Sequence, residues 1–149
     1  MLMGTDSHEM PLHVVACRSC VAAVVFAALL CVCAKEVNDG GSSNVDFSDP
    51  KSVLAAVFYA ARSGDADHLS TLCDPHGDGN EHTERICSVR RGGPDWDSFR
   101  TNFASGRLNG EPRMTGDTAV VRFIYGPQGK LTENMKLVRR GDRWFLHSF

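Results

Sequence analysis

Cysteines are the residues of this chain with the clearest potential for chemistry, and they fall into two groups. Four of them, at positions 17, 20, 31 and 33, lie in or beside an apolar stretch near the N-terminus. Cys73 and Cys87 lie in the more polar remainder. Two such thiols pair in an oxidising compartment and stay as buried free thiols in a reducing one. We therefore predict a Cys73–Cys87 disulfide if the chain is exported.

A second group of polar residues, the segment DPHGDGNEH from Asp74 to His82, has the residue types of metal ligands. A calcium loop needs acidic groups at alternate positions and Gly at the sixth, and a zinc-binding helix needs His residues four apart. The segment has neither spacing, and its Pro, Gly, Asn and Asp residues are typical of turns. We predict a solvated turn here, with no metal site and no cofactor.

The overall composition indicates one folded domain with an appendage. The chain has 149 residues, 42% of them hydrophobic, and its formal net charge is -2. It contains no block of like charges, which gives no reason to expect a nucleic-acid partner. A nucleophile elbow, a phosphate loop and a dinucleotide fingerprint are also absent from the sequence.

The first 34 residues are predicted to be a signal peptide or membrane leader. The uncharged run CVAAVVFAALLCVC, from Cys20 to Cys33, has the length of a signal-peptide core and is short for a membrane span. Cleavage would follow Ala34, and the true start is Met1, Met3 or Met10. A retained anchor and a buried core helix are the alternatives. The leader predicts an extracytoplasmic protein, either secreted or held in the cell envelope.

Cys33 is a candidate lipidation site, with Cys31 as a weaker one. Leu30 precedes Cys33 by three residues, as in a bacterial lipobox, although Val32 departs from the small residue usual there. Residues 35–48 are rich in Gly, Ser, Asn and Asp and predict a flexible tether. We expect the protein to be exported and, if Cys33 is modified, lipid-anchored.

The folded domain is predicted to span residues 49–149, with helices in its first half. Asp49 suits an N-cap, Pro50 suits the first helical position, and Gly64 suits the end of a helix whose apolar residues recur at helical spacing. A short second helix is expected from Asp65 to Leu72. Another begins near Pro94 or Asp95 and places Trp96, Phe99 and Phe103 on one face.

Three consecutive strands are predicted between Thr118 and Phe149, joined by the turns GPQG and RGD. Alternation places Ala119, Val121, Phe123 and Tyr125 on one face and Arg122 on the other. By the same alternation, Phe145, His147 and Lys136 face outward. An edge strand, RLNGEPRM, is weakened by its Gly and Pro. Helices followed by an antiparallel sheet covered on one face predict an α+β fold.

The chain resembles the small exported domains of unknown function in the nuclear-transport-factor-2-like superfamily. The resemblance rests on DPKSVLAAVFYAARSGDADHLSTL, DWDSF and GDTAVVRFIY, and most specifically on the closing GKLTENMKLVRRGDRWFLHSF. It covers residues 49–149 and implies a cone-like fold, with a curved antiparallel sheet wrapped around a long first helix. The superfamily hosts enzymes, binding proteins and scaffolds, so it does not by itself imply an activity.

Catalysis in this fold would need an acid–base pair on the inner face of the sheet. The inward positions carry Val, Phe, Met, Leu and Trp, and Glu133 lies beside a turn, where we expect it to be solvated. We therefore predict no catalytic residue and a non-enzymatic domain that binds a small apolar ligand or a protein partner.

The expected ligand-lining residues are aromatic: Phe58, Tyr59, Trp96, Phe99 and Tyr125. The outer sheet face, with Arg122, Lys136, Phe145 and His147, is the expected surface for a protein partner or a homodimer. The alternatives are an isomerase- or dehydratase-like enzyme in the same fold and a structural component of the envelope.

Overall fold

A computed structural model describes residues 44–149, in which helices precede strands. The elements are α1 (Pro50–Ser63), a 3-10 turn (Leu69–Leu72), α2 (Glu81–Ser88), α3 (Trp96–Phe103), β1 (Arg107–Leu108), β2 (Arg113–Thr115), β3 (Thr118–Tyr125), β4 (Leu131–Arg140) and β5 (Arg143–Ser148). The predicted α+β class is confirmed. The predicted leader at residues 1–34, the lipidation candidate Cys33 and residues 35–43 of the predicted tether lie outside the described residues. Within residues 44–149, no helix has both the length and the apolar character needed to cross a membrane.

Helix α1 forms as its sequence predicts. The Asp49 carboxylate accepts a hydrogen bond from the Lys51 backbone N–H at 2.9 Å, and Pro50 occupies the first helical position, where its missing N–H has no cost. Gly64, with φ of 83°, ends the helix in the left-handed conformation that glycine adopts without strain. The apolar face of α1 is fully buried against the sheet and α3, so this helix forms the centre of the core.

The sheet is antiparallel, with strand order β1-β3-β4-β5, and β2 also pairs with β3. Ala119 lies opposite Leu137 and Val121 opposite Met135, and all four side chains are fully buried. This register confirms the predicted alternation, because residues directly opposite each other face the same side of a sheet. The inner face therefore carries the packing residues, while Arg122 and Lys136 lie on the exposed outer face.

The predicted edge strand is interrupted. Strands β1 and β2 both pair with β3, and the residues between them leave the ladder at Gly110, whose φ is 96°. Pro112 has no N–H to donate to a ladder, which is why the interruption falls at this position. One backbone hydrogen bond, from the Asn109 N–H to the Arg122 carbonyl at 2.8 Å, holds the start of this connection against β3.

Two helix predictions need correction. The segment after Asp65 forms a single 3-10 turn, and the Asp65 carboxylate accepts from the Asp67 N–H at 3.1 Å without capping that turn. The predicted turn from Asp74 to His82 ends sooner, because Asn80 caps α2 through the Thr83 N–H at 3.0 Å. His82 is therefore a helical residue.

The folded unit begins before Asp49. Val45 and Phe47 pack against the core, and the Phe47 carbonyl accepts a hydrogen bond from the Trp144 N–H at 2.8 Å. The Phe47 ring lies 6.1 Å from the Phe145 ring, and Phe145 is buried. The end of the predicted tether thus belongs to the domain, and Phe145, expected on an open outer face, is covered by it.

The outer edge of β5 is covered by chain segments from three places. Besides the contact between Trp144 and Phe47, the Asp74 N–H donates to the Leu146 carbonyl at 3.1 Å. The Asn80 N–H donates to the His147 carbonyl, also at 3.1 Å. These contacts satisfy backbone groups that an edge strand otherwise leaves to solvent.

Cys73 and Cys87 lie at disulfide distance, with their Cα atoms 6.1 Å apart. Cys73 follows the 3-10 turn, and Cys87 lies in the last turn of α2. The bond therefore fixes the end of a short helix to the part of the chain that runs beside β5. Eight residues are too few for a helix to be stable by itself, so α2 depends on such tertiary connections.

We expect replacement of both residues, Cys73→Ser with Cys87→Ser, to lower the free energy of unfolding by about 3 kcal/mol, since the cross-link restricts the unfolded chain. Urea unfolding of the oxidised full chain and of the double variant measures this difference. Addition of a reducing agent should lower the free energy of unfolding of the parent and leave that of the variant unchanged. Equal stability of parent and variant would contradict a structural role for the bond.

Candidate functional site

A half-open pocket of about 270 Å³ lies between α2, α3, the end of β3 and the start of β4. Its apolar lining consists of Ile86, Val89, Phe99, Phe103, Tyr125, Leu131 and Phe149. Its polar lining consists of His82, Arg85, Asp95, Ser98 and Asn102. An apolar pocket with a few polar groups is the usual form of a small-molecule site.

The aromatic part of the lining is a connected cluster. The Phe103 ring lies 5.4 Å from Phe99, 5.5 Å from Tyr125 and 6.2 Å from Phe149. Phe99 and Phe103 are four residues apart on α3, so both project from the same face of that helix. Rings at these separations attract one another beyond their burial, which gives the pocket a rigid aromatic wall.

Helix α2 supplies the opposite wall. Its residue Ile86 is buried, while the His82 ring lies 5.9 Å from the Phe149 ring. The Asn80 side chain donates to the Phe149 backbone carbonyl at 2.7 Å, which joins the start of α2 to the end of the chain. At the rim, Arg85 pairs with Glu81 at 3.0 Å, and both side chains are mostly exposed.

Tyr125 places a hydroxyl group at the aromatic wall. Burial, together with the nearby Glu133 carboxylate, raises the pKa of Tyr125 above its ordinary value. The hydroxyl therefore stays protonated at neutral pH. It has no hydrogen-bond partner among residues 44–149, so it is available to donate to a molecule in the pocket.

The aromatic residues expected to line a ligand site lie in three different places. Phe99 and Tyr125 both line the pocket. Trp96 is buried and stacks on Phe99 with ring centroids 5.9 Å apart, and Phe58 packs at 5.9 Å against Phe123 in the core. Tyr59 lies elsewhere, in a cleft of about 20 Å³ with Leu72.

Sequence reasoning missed the contribution of α2, including His82, Arg85 and Ile86. The signals were present, because Asn80 is a good N-cap and Ile86 follows His82 at helical spacing. The preceding Pro, Gly and Asp residues masked them by indicating a longer turn. Phe149 was missed for another reason, since its role depends on where the strand ends rather than on the residues near it in sequence.

A buried polar cluster lies apart from the pocket, around Asp74. The Asp74 side chain is 1% exposed, and its carboxylate accepts two hydrogen bonds from the Arg140 guanidinium, at 2.7 Å and 3.2 Å. His147 Nδ1 is buried without a hydrogen-bond partner and lies 3.7 Å from the Asp74 carboxylate. His147 was expected to face outward or toward a partner, but the chain around Asp74 covers it.

This cluster is not built for general-base catalysis. Hydrogen bonding from Arg140 lowers the pKa of Asp74 below its ordinary value, although burial opposes the shift. A catalytic carboxylate needs a raised pKa to accept a proton near neutral pH. In the pocket, the His82 and Asp95 side chains are exposed. Among residues 44–149, no three His, Cys, Asp or Glu side chains lie together as a metal site.

No protein-family model matches this chain. Searches of the curated proteins and of the solved structures find no similar protein either.

Proposed function

We propose that this domain binds a small, largely apolar molecule that carries a hydrogen-bond acceptor. The pocket with its aromatic wall and the unpartnered Tyr125 hydroxyl carries this proposal. Apolar contact with Phe99, Phe103 and Phe149 supplies affinity, and the hydroxyl selects an acceptor on the ligand. The site has no buried charge, which favours a neutral ligand over a strongly ionic one.

The size of the pocket limits the ligand. Drug-sized molecules occupy pockets of roughly 300–1,000 Å³, so a pocket of about 270 Å³ suits one ring, two fused rings or a short chain. The pocket is half-open, and Leu131 at its mouth is 53% exposed. A bound molecule would cover Leu131 and so bury apolar surface that now faces solvent.

The setting we propose is extracytoplasmic. The Cys73–Cys87 pair supports it, because disulfides persist in oxidising compartments. A leader at residues 1–34 with lipid attachment at Cys33 remains part of the proposal. So does membership of the nuclear-transport-factor-2-like superfamily, which is supported by a long first helix that packs against an antiparallel sheet.

Replacing Leu131 with Glu is expected to weaken binding of a neutral naphthylamine fluorescent probe about tenfold, since a charge at the mouth opposes apolar burial. Tyr125→Phe should leave the affinity for this probe unchanged. It should lower the affinity for a probe that carries an acceptor, such as a naphthyl ketone, by about two- to tenfold. Fluorescence titration of the full chain measures both effects.

Met114→Glu is the matched control, because Met114 is equally exposed, at 54%, but does not line the pocket. Its probe affinity should equal that of the parent. If Met114→Glu and Leu131→Glu lower the affinity for the probe to the same extent, the probe does not bind in the pocket and the proposal fails.

A further inference from the structure

The outer face of the sheet is basic, and none of the strand residues on it is acidic. The strand register places six cationic side chains on this face: Arg107, Arg113, Arg122, Lys136, Arg140 and Arg143. Of these, Arg140 is paired with Asp74. Glu133, the one acidic residue within the five strands, alternates to the inner face, opposite Phe123. The whole chain has a net charge of -2, so positive charge is concentrated on this surface.

Three of these cations surround one residue, Val120. Arg113 and Lys136 lie directly opposite Val120 on the two neighbouring strands, and Arg122 follows it by two residues on β3. Diagonal neighbours in an antiparallel sheet are roughly 7–8 Å apart, within reach of long side chains. The two arginines can therefore contact one small anion together.

A groove of about 520 Å³ lies at this position. Arg113 and Arg122 line it together with Asn109, Thr132 and Asn134, which offer amide and hydroxyl donors. Glu111 is also part of the lining, and its carboxylate is bound to Lys51. The wall on one side is the connection between β1 and β2, where the chain leaves the ladder at Gly110. The interruption of the edge strand thus creates the groove beside the two arginines.

The nearby carboxylates are already paired elsewhere. Glu111 at the rim binds Lys51 Nζ at 3.0 Å and 3.1 Å, and Asp117 binds Arg139 at 2.8 Å. Within residues 44–149, Arg113 and Arg122 have no ion pair. Like charges held close together on a sheet repel, so an anion in the groove would relieve an unfavourable interaction.

We propose that this groove binds a phosphate group. Guanidinium groups bind phosphate oxygens through pairs of parallel hydrogen bonds, and amide donors complete such a site. The two lining arginines carry more positive charge than one carboxylate neutralises, whereas a phosphate monoester carries about -1.5 to -2 charges at neutral pH. The phosphate belongs either to a soluble phosphate ester or to the headgroup of an anionic lipid.

A second copy of the chain is a poor occupant of this face. A symmetric face-to-face dimer would place the face that carries Arg113, Arg122 and Lys136 against the same face of the other copy, and the carboxylates beside it are already paired with other cations. This pattern favours an anionic ligand over a homodimer formed through the outer face of the sheet.

NMR signals of the arginine side chains, followed while the full chain is titrated with sodium phosphate, test the site. A titration with sodium chloride at equal ionic strength is the control for non-specific salt effects. The double variant Arg113→Gln with Arg122→Gln should bind phosphate at least about tenfold more weakly than the parent. Arg91→Gln with Lys130→Gln is the control, because it removes the same charge from exposed positions outside the groove and should bind as the parent does.

Vesicles of phosphatidylcholine, with and without phosphatidic acid, distinguish the two sources. Loss of both phosphate and vesicle binding in the Arg113 and Arg122 variant supports a lipid headgroup, and loss of phosphate binding alone supports a soluble ester. The proposal is overturned if phosphate acts no differently from chloride, or if the control variant loses as much binding as the groove variant. It is also overturned if vesicles bind but phosphate does not.

Discussion

Replacement of Gly106 by alanine should destabilise the domain by about 2–3 kcal/mol, because the added methyl group would overlap with the core. A Cβ at this position would lie 2.7 Å from Cε1 of Phe58 and 2.8 Å from the Phe103 carbonyl oxygen. Phe58 is buried and packs against Phe123, so its ring has no free space to enter. Urea unfolding of the parent and the variant measures the loss.

A double-mutant cycle separates this steric explanation from a general effect of alanine. Phe58→Leu by itself should cost about 1 kcal/mol, and its combination with Gly106→Ala should cost less than the sum of the two. The smaller leucine leaves room for the added methyl group. Strict additivity of the two losses would show that Phe58 is not the obstacle.

Arg140→Met should also be strongly destabilising, by about 2 kcal/mol at neutral pH, because it leaves the buried Asp74 carboxylate without its cation. The full cost of a broken buried pair is reduced here, since the Arg140 side chain is 34% exposed. Thermal and urea unfolding of both proteins at pH 7 measure the difference.

The difference in stability between the parent and Arg140→Met should change with pH in one direction. The pKa of Asp74 is lowered in the folded parent, so the pair stabilises the fold above the ordinary value of 3.8 and loses this effect as the pH falls below it. The gap between parent and Arg140→Met should therefore narrow on acidification. Arg139→Met is the control, because Arg139 pairs with Asp117, which is 72% exposed, and should cost under about 1 kcal/mol. Equal costs for the two arginines, or a gap that is constant with pH, would contradict a specific role for Asp74.

Local periodicity predicted the parts of the fold that local interactions decide. Helix α1 has its cap, its apolar face and its terminal glycine within one continuous segment. Burial alternates along β3 from Thr118 to Phe123, and along β4 from Asn134 to Leu137. Helix α2 was missed because turn residues precede it and because its position depends on Cys73 and on the end of β5. Such connections are distant in sequence, and no periodic pattern records them.

The alternation of side chains along a strand predicts on which face of the sheet a residue lies. It does not predict which other part of the chain covers that face. Phe145 and His147 do alternate with the inward Trp144 and Leu146, yet Phe47 covers the first and the chain around Asp74 covers the second. The same reasoning applies to the pocket. Phe99 and Tyr125 were predictable as inward aromatic residues. The pocket itself also depends on the positions of α2 and of Phe149, which the strand pattern does not give.

The covered edge of β5 has a further consequence at high protein concentration. Phe47, Asp74 and Asn80 occupy backbone groups along that edge, and at the other edge the ladder stops between β1 and β2, where Pro112 cannot donate. Neither edge offers a long template on which a strand of a neighbouring copy could add. We expect neighbouring copies to remain separate at high protein concentration rather than grow into β-fibres.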